Sequence, residues 1–282
     1  MSAESKMTVV PDLKDFREPF RSQFVQALQL GAASADIQDI SAQVGYAATG
    51  RASTAFLNRE LERPYSHTAN ICHWIRHLTP VDRILDVGCG TAGLSLALAW
   101  TFPNAIIECF DADERSVRAA KMRIAGYGFV ERIRPWVVAP NAAFPYESES
   151  FDLVSCTSVL EFITRVEDRR RLLGEIRRVV RPDGHIVLTT PNPWYPSEFH
   201  SKRFLGNWRR RPGYPWASTR GWIRRQLPDC VFHPMVDRVA SKFRLELPRS
   251  LCQIIEPWMP WQVLLAQAKR RDHTSTADDS GA

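Results

Sequence analysis

Along the chain, the spacing of apolar residues changes from one regular pattern to another. Between about positions 20 and 46 they recur at helical intervals, with Phe24, Leu28 and Ala32 followed by Ile37, Ile40 and Val44. This predicts short helices, punctuated by Gly31 and Gly45. In "HTANICHWIRHL" (67–78), Ile71, Trp74, Ile75 and Leu78 share one face, predicting a helix that ends before Pro80. A regular alternation follows. The compact apolar runs "RILDVG" (83–88), "AIIECFD" (105–111), "RIRPWVVA" (132–139), "FDLVSCTSVL" (151–160) and "GHIVLTTP" (184–191) read as strands. Between them, "AGLSLALAWTF" (92–102), "ERSVRAAKMRIAGYG" (114–128) and "VEDRRRLLGEIRRVVRP" (166–182) read as helices, the last with Leu172, Leu173, Ile176, Val179 and Val180 facing inward.

Five strands alternating with helices argue for a parallel sheet covered on both faces, because right-handed crossovers bury each strand between helices. After Pro191 the alternation weakens. "CVFHPMV" (230–236) and "WQVLLAQAK" (261–269) remain as two late strands. The predicted fold class is α/β, with the following parts: an N-terminal helical extension or lid (1–66), an α/β core (67–191), a basic aromatic region (192–229), two late strands (230–269) and a disordered tail (270–282).

Composition sharpens the division. The chain has 282 residues and a net charge of +6, but residues from Pro191 onward hold 15 Lys+Arg against 8 Asp+Glu. That stretch also contains six of the nine tryptophans and ten of the nineteen prolines, so front and back have different work to do. No apolar run reaches the ~18 residues of a membrane span. Charges at the N-terminus stand where a signal peptide would have its apolar stretch, so the expected location is cytoplasmic. The six cysteines show no C-x-x-C pair and read as free thiols.

The densest chemistry lies in "ILDVGCGTAG" (84–93), where Gly88, Gly90 and Gly93 spell G-x-G-x-x-G. Glycines after a first parallel strand let a backbone approach a ligand, and the helix that follows offers free N–H groups. A dinucleotide site and an S-adenosylmethionine site would both use such a loop. Asp86 favours the second, since a carboxylate there repels a diphosphate and attracts an ammonium. Asp111, closing the second strand, can accept ribose hydroxyls of either ligand.

"ILDVGCGTAG", "FDADE", "FPYESESFDLVSCTSVLEF" and "VVRPDGHIVLTTPNP" occur in that order at fitting intervals. Together they resemble the class I S-adenosylmethionine-dependent methyltransferases, in particular the ubiquinone/menaquinone-type small-molecule branch. The resemblance is strong over residues 70 to 191 and faint beyond. It implies a Rossmann-like, seven-stranded, mostly parallel sheet whose last strand, "WQVLLAQAK", is antiparallel and forms a hairpin with the strand near 230–236. It further implies that Asp86, Gly88, Cys89 and Gly90 hold the methionine end of the cofactor, that Asp111 binds its ribose, and that Ala112 lies against its adenine. Asn141 and Ala142 would border the adenine, and Cys156 and Thr157 would pass close to the sulfonium. Three departures stand out: Ala92 occupies the usual place of the third glycine, Pro140–Asn141 replaces an acidic residue, and Phe162 replaces a histidine common in "VLEH".

The expected reaction is methyl transfer to a small organic acceptor, at oxygen in preference to carbon or nitrogen, by in-line displacement without a metal. Glu161 and His200 are the candidate bases or acceptor contacts, with Tyr65 and His67 as further possibilities. His73 and His77 lie four apart on one face, yet no carboxylate or Cys pair joins them, so the expectation is no metal. "RFLGNWRRRPGYPW" (203–216) interleaves Arg with aromatic residues. It suits a lid over an anionic or lipid-like acceptor, a shallow membrane contact, or a packed cover. A nucleic-acid partner is disfavoured, because no RNA-binding module is recognisable. A nicotinamide-dependent oxidoreductase, an RNA-modifying methyltransferase and a non-catalytic cofactor-binding fold are the rivals.

Overall fold

The computed structural model describes residues 63, 64, 67, 71–195, 218–233, 248–255, 259 and 261–269. The helices expected between 20 and 46, nearly all of the 1–66 extension, Tyr65, His200, the "RFLGNWRRRPGYPW" stretch and the 270–282 tail lie outside the described residues.

Seven strands form one sheet in the order β3-β2-β1-β4-β5-β7-β6. They are β1 (Arg83–Val87), β2 (Ile106–Asp111), β3 (Ile133–Val137), β4 (Phe151–Thr157), β5 (Val180–Pro191), β6 (Cys230–His233) and β7 (Trp261–Ala268). The first five are parallel, and β7 runs antiparallel between β5 and β6, as anticipated. The order reverses at β1, whose two neighbours are β2 and β4, so the loop after β1 opens at the crevice where such sheets bind ligands.

The helices divide between the two faces according to where their apolar residues point. On one face, α1 (His73–Ile75), α2 (Gly93–Thr101) and α3 (Glu114–Gly126) cover Ile84, Ile107, Leu153, Val187 and Leu265. On the other, α4 (Val166–Val179) and α5 (Arg220–Gln226) cover Leu85, Val154, Ile186, Leu188 and Leu264. A last helix, α6 (Arg249–Ile255), precedes β7. Strands buried on both sides need no polar alternation, which is why β1 and β4 read as continuous apolar runs. Asp113 caps α3 by accepting from the Ser116 N–H at 3.1 Å.

Three boundaries differ from expectation. The 67–78 helix is helical at His67 and from Ile71 to Ile75 among the described residues. β4 stops at Thr157 because Ser158 adopts a left-handed backbone (φ 58°) and a 3-10 turn follows over Leu160–Phe162. β5 begins at Val180, and the Pro-Asp-Gly turn lies inside its span. There the register with β4 slips between Phe151 and Leu153, and Asp183 is left-handed (φ 63°). A Cβ on Gly184 would lie 2.9 Å from the Arg181 carbonyl oxygen, so this bulge requires glycine. Asp152 binds the irregularity to its neighbours. Its Oδ2 accepts from the N–H groups of Asp82 (2.9 Å) and Arg83 (2.8 Å), and its Oδ1 lies 2.6 Å from Arg181 Nη1.

Candidate functional site

The loop from Gly88 to Ala92 joins β1 to α2 at the C-terminal edge of the sheet. Gly88 (φ 69°) and Gly90 (φ 54°) hold left-handed conformations. A side chain on Gly88 would collide with Val159, whereas a Cβ on Gly90 would meet nothing within 4 Å. Gly88 is therefore needed for packing, and Gly90 leaves the loop's outer side open. Ala92, in the place of the usual third glycine, is itself left-handed (φ 62°) as it caps α2. Gly93 has a different reason to be glycine: its Cβ would sit 2.9 Å from Cδ of Arg63, whose stem crosses it. The late glycine thus makes room for an arginine and does not shape the turn.

Asp111 faces this loop from the end of β2. Its Oδ2 accepts from the Gly90 N–H and its Oδ1 from the Asp113 N–H, both at 2.9 Å. Each oxygen keeps a further lone pair for another donor. Burial raises the carboxyl above its ordinary range, while those N–H groups pull it back. Ala112 is exposed beside it. The Val138 N–H donates to the Asp111 carbonyl at 3.1 Å, bringing the loop with Asn141 (φ 63°) and Ala142 to the same rim, both exposed. Phe144 packs edge-on to Phe110 below them, with centroids 4.8 Å apart.

Asp86 occupies a different place from the one its charge suggested. It is 1% exposed, and its oxygens accept from the hydroxyls of Ser95 (2.6 Å) and Ser155 (2.7 Å). Burial pushes its carboxyl up to about 6 despite these bonds. Its visible work is to tie β1 to α2 and β4 beneath the loop. Cys156 is fully buried on the α4 side, and Thr157, half-buried, is the residue of that pair nearer the open edge.

Glu161, in the 3-10 turn after β4, is 0% exposed; its Oε2 accepts from Thr190 Oγ1 at 3.4 Å. Burial pushes its carboxyl up to about 8, so near neutral pH it is chiefly protonated and ill-suited to take a proton. His200 lies outside the described residues.

The structure adds residues that pattern alone did not single out. Arg123 of α3 reaches 32 positions back to the loop, donating to Thr91 Oγ1 (2.6 Å) and the Thr91 carbonyl (3.0 Å). Burial, then Arg63 and then Arg123 hold His67 down to about 3, and the same two arginines meet the loop and the start of α2, Arg63 over Gly93 and Arg123 on Thr91. A positive field beside helix N–H groups suits a carboxylate. Only the tertiary fold assembles this cluster, and no local spacing announces it.

Residues 85–188 match the family model described as "Methyltransferase domain". A ubiquinone/menaquinone biosynthesis C-methyltransferase of Geotalea daltonii is 32% identical over 127 residues, covering 45% of this chain and 49% of that protein. A malonyl-[acyl-carrier protein] O-methyltransferase of Geobacter sulfurreducens is 37% identical over 102 residues, 36% of each chain. The chain therefore spans half or less of the length of these curated relatives. The crystal structure of geranyl diphosphate C-methyltransferase from Streptomyces coelicolor shares the fold. Its TM-score is 0.51 at 17% identity, over 77% of this chain and 84% of that one.

Proposed function

We propose that this chain, whose residues 85–188 match a methyltransferase-domain model, is a class I S-adenosylmethionine-dependent methyltransferase acting on a small organic acceptor at oxygen. The observation that carries this reading is the Asp111 carboxylate, fixed by two N–H bonds at the mouth of the open Gly90 loop. Its remaining lone pairs fit the two hydroxyls of a ribose, and the exposed Ala112 and Asn141–Ala142 rim leaves a slot for adenine. The α2 N-terminus with Arg63 and Arg123 suits the methionine carboxylate. When bound, the cofactor supplies an electrophilic methyl group on a positively charged sulfur.

The chain's own residues position and enclose. Asp111 and the loop N–H groups set the cofactor's register, and Thr157 borders the region where acceptor and methyl meet. Asp86 acts through Ser95 and Ser155, holding the loop's base. Alignment in a site that excludes water lowers the barrier without a metal. Glu161 serves as a positioning residue, holding the turn after β4 against Thr190, and an oxygen acceptor would arrive already ionised. Exposed apolar side chains such as Phe162 and Trp194, and the exposed Arg165, suit an acceptor that is anionic or lipid-like.

Equilibrium binding tests the cofactor. S-adenosylhomocysteine should bind at micromolar concentration or tighter and NADH should not; the reverse result overturns the proposal. Asp111→Ala should weaken S-adenosylhomocysteine binding by ~1–3 kcal/mol through the lost charge-assisted bonds. A labelled-methyl transfer screen against cell extract, with the product's methyl carbon assigned by NMR, identifies the acceptor. Methyl found on carbon would refute the choice of oxygen.

A further inference from the structure

Beyond the loop that follows β4, the first turn of α4 carries an arginine whose charge meets no opposite charge. Arg169 is 6% exposed, a rare place for a guanidinium. Its Nη1 donates to Ser218 Oγ at 3.0 Å and its Nη2 to the Thr164 carbonyl at 3.4 Å, and its Cζ lies 5.7 Å from the centroid of the Trp222 ring. None of these groups is an anion, and no carboxylate of the described residues pairs with it. Asp168, its neighbour in the chain, turns to Arg165 and Arg171 instead, at 3.9 Å from each. Nε is buried without a hydrogen-bond partner, and Nη2 has a second hydrogen to give. Nε and Nη2 share one edge of the guanidinium plane. Because Nη2 ends on the exposed Thr164, that edge faces the loop after β4. A buried charge left uncompensated destabilises the fold until an opposite charge joins it.

The setting of this arginine is fixed by its neighbours. Gln262 Nε2 donates to the Ser218 carbonyl at 2.9 Å and to the Pro191 carbonyl at 3.2 Å, which pins Ser218 at the end of β5. Ser218 and Gln262 are both buried. Arg169 is thus held between the loop after β4 and the end of β5, whereas the Asp111 rim closes β1 and β2 on the other side of the sheet order. We propose that Arg169 anchors the methyl acceptor by holding an oxyanion of that molecule, a carboxylate or a phosphate other than the methylated oxygen, on its Nε–Nη2 edge. The anchor rests on the methyltransferase reading above and deepens it, since cofactor and acceptor then take opposite sides of β4. Ser218, Thr164 and Trp222 orient the guanidinium before the ligand arrives, so two parallel N–H···O bonds form with little ordering cost. Burial holds the guanidinium below its ordinary range and Glu167 offsets part of that, the mark of a cation that awaits its counter-ion.

The whole protein is melted in sodium phosphate, in sodium acetate and in sodium chloride of matched ionic strength. Phosphate and acetate should raise the melting temperature of the parent above its value in chloride, because the native state alone binds them. Arg169→Gln should lose that shift and still bind S-adenosylhomocysteine as the parent does. Arg169→Lys keeps the charge but not the fork, so its shift should also shrink, and it decides the matter if Arg169→Gln does not fold. An equal shift in parent and variant overturns the proposal. In labelled-methyl transfer to cell extract, Arg169→Gln should slow the reaction about tenfold at dilute extract and recover as the extract is concentrated, an effect on KM. The labelled product should be retained by an anion-exchange resin. Loss of retention after phosphatase treatment identifies a phosphate, and persistence a carboxylate. A product that is not retained, or a rate that Arg169→Gln leaves unchanged, overturns the anchor. If the parent fails to bind S-adenosylhomocysteine at all, the cofactor reading falls, and the melting shifts alone decide Arg169.

Discussion

Ala92 holds a left-handed backbone that an L-residue with a Cβ adopts at a cost of about 1 kcal/mol. Ala92→Gly relieves that strain but adds chain entropy to the unfolded state and gives up a buried methyl group, so the urea midpoint should move by less than the equivalent of about 1 kcal/mol, at unchanged slope. Gly93→Ala should lower stability, since its methyl group meets the Arg63 stem. Glu161 sets a pH dependence. Unfolded, it loses its proton near its ordinary 4.5; folded, it keeps the proton to about 8. Between those values the native state holds more protons, so stability falls as pH rises, by about 1.4 kcal/mol per unit for one full proton. Glu161→Gln removes that contribution. Melting temperatures from pH 5 to pH 8 should then decline less steeply than in the parent, and parallel curves would show that Glu161 does not carry the slope.

The elements show which physical signals a sequence carries. Strands β1 and β4 could be read as apolar runs because burial on both faces removes any need for polar alternation. Helix α4 was legible because one stripe of Leu173, Ile176 and Val179 meets the sheet while charged residues fill most other positions. The bulge in β5 was not, since a Pro-Asp-Gly sequence marks a turn and only the adjoining strand decides whether that turn lies before the ladder or within it. Asp152 is the clearest test of this element. It accepts two backbone N–H groups and pairs with Arg181 while 5% exposed. Asp152→Ala should cost about 2–4 kcal/mol by orphaning the donors, measured by denaturant unfolding. A loss below 0.5 kcal/mol on the same scale would show that water replaces the carboxylate.

At the scale of the whole molecule, the site lies where β1, β2 and β4 end and three sequence-distant segments converge. Glycine spacing and Asp111 were legible because they belong to one local strand-loop-helix unit. The inward turn of Asp86 toward Ser95 and Ser155 was not, because both serines come from other elements. Arg63 and Arg123 were invisible for the same reason. Arg63→Ala should weaken S-adenosylhomocysteine several-fold, with little change for 5′-methylthioadenosine, which lacks the carboxylate; equal losses for both would remove the arginine from that role.

The placement of β7 has a further consequence. Trp261 pairs with Pro191, so the chain leaves the sheet after β5 and re-enters it for β7 at the same edge, while β6, parallel to β5, ends opposite Leu265. The connections 192–229 and 234–260 thus join strands β5, β6 and β7, none of which adjoins β1. Such an arrangement favours recombination. Exchanging 234–260 for the equivalent stretch of a relative should therefore leave S-adenosylhomocysteine affinity at the Gly88–Ala92 loop and Asp111 unchanged, since the strands that carry them lie on the other side of β4.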